Sequence, residues 1–104
     1  MRILVVEDDR NKLRHIREYL SAEWPTVLVD EAISYQSGVQ KLLNFSYDLI
    51  LVDMSLPTYD SEPTYRWRPF GGRDILAEIK RRHISVKALV LTGFDTFDDG
   101  RKTL

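Results

Sequence analysis

Four short runs of Val, Ile and Leu recur along the chain, at residues 3–6, 27–29, 49–52 and 88–91, and their spacing constrains the fold most. Within each run apolar residues follow one another without strict alternation, as in strands buried on both faces. Segments of helical spacing lie between them. Leu13, Ile16 and Leu20 fall at i, i+3 and i+7 and leave Arg10, Arg14, Arg17 and Glu18 for solvent. Val39, Leu42 and Leu43 give a second stripe; Ile75, Leu76 and Ile79 give a third, with Glu78 and Arg82 paired at i, i+4. Asp9 is placed to cap the first helix and Ser34 the second. Trp24, just before Pro25, is expected to close the first helix against the core. The order β-α-β-α-β-loop-α-β, with a further helix starting near Thr96, predicts an α/β fold. Its sheet is parallel and doubly wound, with right-handed crossovers. The pattern alone leaves strand order open.

With 104 residues the chain has room for one small domain. Its apolar and charged fractions, 43% and 30%, are those of a globular protein. Cysteine is absent, which excludes a disulfide framework and a thiolate metal site. A formal net charge of −1 argues against a basic nucleic-acid surface, so no direct nucleic-acid contact is expected. No apolar stretch approaches the ~20 residues that span a bilayer. Met1 and Arg2 lead straight into the first run. A soluble, cytoplasmic domain without a membrane partner is the expectation.

Residues 58–72 break the rhythm. They show no periodicity, Pro57, Pro63 and Pro69 lie in or beside them, and Gly71 and Gly72 end them. The segment reads as a loop between the third strand and the third helix. From Tyr65 to Phe70 it interleaves aromatics with Arg66 and Arg68. Such a mixture suits stacking or a partner's hot spot. The plainer expectation is that Trp67 and Phe70 tuck over the sheet end. His15 and His83 have no partner at metal-ligand spacing and are expected in surface or packing roles.

In a doubly wound sheet, functional groups gather beyond the carboxyl ends of the strands. Those ends carry Glu7, Asp8 and Asp9, then Asp30 and Glu31, then Asp53, then Thr92. Strands one and three, both short and continuously apolar, are expected as neighbours, which brings Glu7, Asp8 and Asp53 into one small volume. Acidic residues at strand ends commonly cap a helix or face water. Three together, each after a buried strand, need a counter-charge, because close like charges disfavour joint ionisation. A hard divalent cation with oxygen ligands answers that need, and Mg²⁺ is the usual choice where phosphate also binds.

The run from Arg2 through Val6 with its acidic Glu7, Asp8 and Asp9 resembles the first strand and acidic pair of response-regulator receiver domains. Asp48 through Val52, then Asp53 and the turn to Pro57, resembles their third strand, phosphoacceptor and following turn. Ala88 through Leu91 with Thr92 and Gly93 resembles their fourth strand and its terminal hydroxyl. The resemblance implies a flavodoxin-like sheet of order 2-1-3-4. It makes Asp53 the phosphoacceptor, with Glu7, Asp8, Asp53 and the Ser55 backbone carbonyl holding Mg²⁺. Thr92 would hydrogen-bond the phosphoryl group and act as a switch, and Gly93 would leave room for it. Asp9 is the helix cap. The implied partners are a histidine kinase or phosphotransfer protein and a downstream output protein, with homodimerisation a further expectation. The module would be no enzyme beyond catalysing its own phosphorylation and dephosphorylation.

Two departures from the family pattern matter. The family places a lysine at the end of a fifth strand, which lies beyond Leu104, where this sequence stops. On that reading residues 1–104 are a receiver lacking its fifth strand and helix, so the gene product is longer or another chain fills the gap. Leu89, Val90 and Leu91 would then lie on an open edge, a pairing liability. Lys87 and Lys102 are misplaced as substitutes, whereas Arg66 or Arg73 is placed to supply a cation. The second departure is the inserted loop, 58–72. Both favour an alternative: a pseudo-receiver serving as a phosphorylation-independent interaction or dimerisation module. A Mg²⁺-dependent phosphatase with Asp53 as nucleophile is disfavoured, because Ser55 stands where such enzymes keep a second carboxylate.

Overall fold

The computed structural model describes residues 1–60 and 71–91, together with the backbone of 67–68. The principal sheet comprises β1 (Arg2–Val6), β2 (Leu28–Ala32) and β3 (Leu49–Val52). Its fourth strand is β6 (Lys87–Val90), and the order is β2-β1-β3-β6. Every neighbouring pair is parallel. Parallel neighbours cannot be joined by a tight turn, so each crossover carries a helix. These helices are α1 (Arg10–Glu23), α2 (Tyr35–Asn44) and α3 (Gly71–Arg81). The observed order is the one the family resemblance implies, and it puts the topological switch between β1 and β3.

Both faces of β1 and β3 are covered. On one side Leu13, Ile16 and Leu20 of α1 pack with Ile3, Val5 and Leu51. On the other, Leu4, Val6, Ile50 and Val52 pack with Ala32, Leu42 and Ile75. Ile3, Leu4, Ile50 and Val52 have no exposed surface. Side chains of this kind contribute about 1.5–3 kcal/mol each when fully buried, so β1 and β3 form the rigid centre of the sheet. Both expected caps are present: Asp9 starts α1 and Ser34 starts α2. The Glu78–Arg82 pair closes at 2.7 Å.

The structure corrects several expectations. β2 runs on to Ala32, so Asp30 and Glu31 lie inside the strand rather than beyond its end. β2 is an outer strand, and its charges are satisfied laterally. Asp30 takes Arg2 (2.9 Å) and the Tyr47 hydroxyl (2.6 Å), and Glu31 takes Arg17 of α1 (2.8 Å). Leu43 is 52% exposed, because the buried side of α2 narrows to Gly38 and Leu42. Trp24 donates its N–H to the Leu20 carbonyl (2.8 Å) as the α1 C-cap. Instead of closing on the core, Trp24 lines an open apolar groove of about 520 Å³ with Leu20, Leu49 and Leu89. β6 covers residues 87–90 and is the other outer strand of the sheet; its exposure departs from the buried strand that its apolar run suggests but agrees with the open edge expected for Leu89 and Val90.

The 58–72 segment is less irregular than its sequence. β4 (Leu56–Pro57) pairs antiparallel with β5 (Trp67–Arg68), and α3 already begins at Gly71. By local sequence the glycine pair ends a loop, but tertiary packing draws it into the helix. Tyr65, Arg66 and Phe70, the side chains of Trp67 and Arg68, and everything from Thr92 onward lie outside the described residues.

Candidate functional site

The parallel ladder continues one residue past β1 and β3. Glu7 N–H donates to the Ala32 carbonyl (2.9 Å), and Asp53 N–H donates to the Val6 carbonyl (3.0 Å). The first residues beyond two adjacent central strands are therefore fixed side by side. Glu7, Asp8 and Asp53 each bring one carboxylate oxygen to within 4.8 Å of the others. This is the convergence expected from the sequence, and it sits at the switch point.

Glu7 is 1% exposed. Its Oε2 accepts the Asp9 N–H at 3.0 Å, while its Oε1 is buried with no hydrogen-bond partner among the described residues. The nearby Asp8 and Asp53 side chains are acceptors too, so they bond Glu7 only if one of the three holds a proton. Burial pushes Glu7 up to about 8, and the charges of Asp53 and Asp8 add to it. The Asp9 hydrogen bond and the Lys12 charge oppose the rise. Burial, then the Asp53 charge, raises Asp8 as well. Burial also raises Asp53, against the Lys12 charge and the backbone N–H groups of Ser55 and Met54. The group carries more negative charge than its surroundings balance. A cation or protons must make up the difference. The donor set is entirely hard carboxylate oxygen, which suits Mg²⁺ and not a thiolate- or imidazole-seeking metal. The residues present therefore fit that ion.

Asp9 accepts from Asn11 N–H (2.9 Å) and Lys12 N–H (3.2 Å), the geometry of a cap. Asp30 and Glu31 stand apart with their own partners. Ser55 is half-buried in the turn directly after Asp53, and Thr92 and Gly93 lie outside the described residues.

Four supports escaped the sequence reading, the link from the expected cap Ser34 to Asp60 among them. The Gly72 N–H donates to the Met54 carbonyl (2.8 Å), so α3 starts hard against the acceptor turn. Ser34, fully buried, forms a capping box with Ser37 and donates to Asp60 Oδ1 at 2.6 Å. The Gln36 N–H donates to the Thr58 carbonyl (2.9 Å), so the chain after β4 is fastened to the start of α2. The fourth is Lys12, whose charge acts on both Glu7 and Asp53 and which the sequence reading did not single out; its place three residues after a cap is the available signal.

A doubly wound parallel sheet with a carboxylate cluster at its switch point defines a class of α/β modules whose site lies beyond the strand ends. Comparison with known proteins narrows that class. Residues 3–104 match the response regulator receiver domain, and the chain belongs to this family of two-component signalling modules. Among curated relatives, an uncharacterised protein, y4jR, of Sinorhizobium fredii is 30% identical over 101 residues. That match covers 93% of this chain and 67% of the relative. The Detocs response regulatory protein DtcB of Enterobacter cloacae is 28% identical over 102 residues, covering 93% and 68%. Among solved structures, TrrA of Thermotoga maritima, in complex with Mg²⁺ and a beryllium fluoride, superposes with a TM-score of 0.71. It is 24% identical and covered over 76% of its length by 96% of this chain, a likeness of fold. No helix among the described residues is long and apolar enough to cross a membrane.

Proposed function

We propose that this receiver domain accepts a phosphoryl group on Asp53 in a Mg²⁺-dependent reaction. The observation that carries the reading is the buried Glu7 oxygen without a hydrogen-bond partner among the described residues, set within a cluster of three carboxylates at the switch point. Such an arrangement is costly unless a cation enters it or a proton stays on it, and a cation is what a phosphoacceptor needs there. Glu7, Asp8, Asp53 and the Ser55 carbonyl would hold Mg²⁺, which when bound supplies neutralisation of phosphoryl oxygens. The neighbouring TrrA complex, with its Mg²⁺ and beryllium fluoride, supports the same assignment by analogy of fold.

The chemistry asked of the protein is small. A carboxylate oxygen of Asp53 attacks phosphorus in line, the P–N bond of a phosphohistidine breaks, and the released imidazole nitrogen takes up a proton. The Met54 and Ser55 N–H groups orient the Asp53 carboxylate for that attack. The resulting acyl phosphate returns to carboxylate and inorganic phosphate when water attacks phosphorus and the Asp53 O–P bond breaks. Thr92 is assigned the hydrogen bond that senses the new group, and the domain catalyses only these reactions of its own aspartate. The phosphodonor is a histidine kinase or phosphotransfer protein in the cytoplasm, and an output protein reads the changed surface.

The test is binding of beryllium trifluoride, a phosphoryl mimic, followed by thermal unfolding. With Mg²⁺ present it should raise the melting temperature of the wild-type chain and leave Asp53→Ala unchanged. No stabilisation of the wild type, with the Mg²⁺-free and Mg²⁺-loaded proteins binding a partner equally, would point to the phosphorylation-independent pseudo-receiver.

A further inference from the structure

The first turn of α1 carries a positive charge into the acidic cluster. Lys12 N–H donates to Asp9 Oδ1 (3.2 Å), and the Asp9 N–H donates to Glu7 Oε2 (3.0 Å). The backbone of Lys12 is thus held one residue's hydrogen bond away from Glu7, through the cap Asp9. Helical side chains tilt toward the amino end of their helix, and the amino end of α1 is this cluster. Burial agrees with that direction: Lys12 is half-buried, whereas Arg10, Asn11, Arg14 and His15 on the same two turns are all exposed. A lysine on the first turn of a helix loses exposure only where something covers it, and the acidic group lies at that end of α1. The electrostatics agree as well. Of the influences that oppose burial at Asp53 the Lys12 charge is the largest, and it acts on Glu7 too.

We propose that Lys12 is a cation of the acceptor site, its ammonium pairing with the phosphoryl oxygens that arrive on Asp53. This deepens the phosphoacceptor reading and rests on it. The physical reason is charge balance. Transfer brings a phosphoryl group with further negative charge to a place already crowded with carboxylates, and a divalent cation alone leaves an excess. An ammonium on a flexible stem, held at its base by a capped helix turn, follows those oxygens as they arrive.

A resident positive charge has a second effect, opposite in sign. It attracts the phosphoryl group but repels a divalent cation. Removing it by Lys12→Gln should therefore slow transfer at saturating Mg²⁺ while tightening Mg²⁺ itself. Damage to the fold of the site would weaken both. The substitution keeps the backbone N–H that Asp9 caps, so the helix start remains supported.

The experiment has two arms. Mg²⁺ affinity is measured by calorimetric titration with no phosphodonor present, and phosphorylation by intact-protein mass with acetyl phosphate at saturating Mg²⁺. Wild type, Lys12→Gln and Lys12→Arg are compared. Lys12→Gln should bind Mg²⁺ roughly two- to tenfold more tightly and accept phosphoryl at least about tenfold more slowly. Lys12→Arg should return both toward wild type. Wild-type rates in Lys12→Gln, or loss of affinity and rate together, overturn the assignment of Lys12 and leave the phosphoacceptor reading standing. No adduct on the wild-type protein overturns both.

Discussion

Gly72, the second residue of α3, stands against the backbone of Asp53. A Cβ at position 72 would strike the Asp53 carbonyl oxygen and come within 2.9 Å of Asp53 C and Met54 Cα. The obstacle is backbone at the acceptor itself, so it cannot swing aside. Gly72→Ala is therefore expected to cost about 1–3 kcal/mol of stability and to slow phosphorylation beyond what the lost stability explains. Denaturant unfolding together with single-turnover phosphorylation at a temperature where the variant is folded checks this. A variant with wild-type rate would show that α3 does not position Asp53.

The pH dependence of the metal-free protein has a defined sign. Burial, with the Asp53 and Asp8 charges, pushes Glu7 from the ordinary carboxylate range of the unfolded chain up to about 8 in the folded one. Between those limits the folded chain keeps a proton the unfolded chain has released, so stability falls as pH rises through the window. Asp30 works the other way. Burial opposes its ionisation, but Tyr47 and Arg2 outweigh that and hold it low, so its contribution is lost only in acid. In a chelator the melting temperature should decline from about pH 5 to pH 8. Mg²⁺ should remove most of that decline, because it takes the place of the proton. A metal-free melting temperature that rises over this range contradicts the charge arrangement.

Glu7→Gln separates the cost of the cluster from its use. The amide carries no charge, so the metal-free variant should be more stable than wild type at alkaline pH, by roughly 1–3 kcal/mol. The gain in melting temperature on adding Mg²⁺ should shrink to near nothing. Thermal unfolding with and without the ion reads both effects, and undiminished Mg²⁺ stabilisation would remove Glu7 from the site.

Ser34 joins the start of α2 to Asp60 and so fastens the chain that leaves the acceptor turn. Ser34→Ala loses the cap and leaves the Asp60 carboxylate without this donor, an expected loss of about 1–2 kcal/mol. Asp60→Ala, which removes the acceptor, should cost less, since the capping box itself survives. Equal losses in the two variants would mean that the link to Asp60, not the cap, carries the effect.

The other end of the sheet offers a control. The Tyr47 hydroxyl bonds Asp30 at 2.6 Å, and Arg2 stacks 4.6 Å from the centre of the Phe45 ring while bonding the same Asp30 oxygen. Tyr47→Phe should lose about 1 kcal/mol, because Arg2 still pairs with Asp30. Phosphorylation of Asp53 should be unchanged. A reduced rate in the folded variant would mean that the two ends of the sheet are coupled.

The strands and helices were legible because each core segment keeps one period over its length. Leu13, Ile16 and Leu20 are buried where their spacing puts them, and the runs of β1 and β3 are buried on both faces. Glu7, Asp8 and Asp53 were legible for a related reason: a carboxylate directly after a buried strand has one place to go. β2 was misread because an outer strand tolerates Asp30 and Glu31 once Arg2, Tyr47 and Arg17 meet them, and no local pattern announces partners so distant in sequence. Gly71 and Gly72 look like a loop end locally, and only their approach to Asp53 explains why a helix begins there. Lys12 gave no signal apart from its neighbours, since its role depends on where the helix starts and not on its own period.

The central claim is that Asp53 takes up a phosphoryl group in a Mg²⁺-dependent reaction, and intact-protein mass after incubation with acetyl phosphate tests it most directly. Wild type with Mg²⁺ should gain one acid-stable, base-labile phosphoryl adduct, and chelation or Asp53→Asn should abolish it. An adduct that forms equally without Mg²⁺, or persists in Asp53→Asn, would contradict the account.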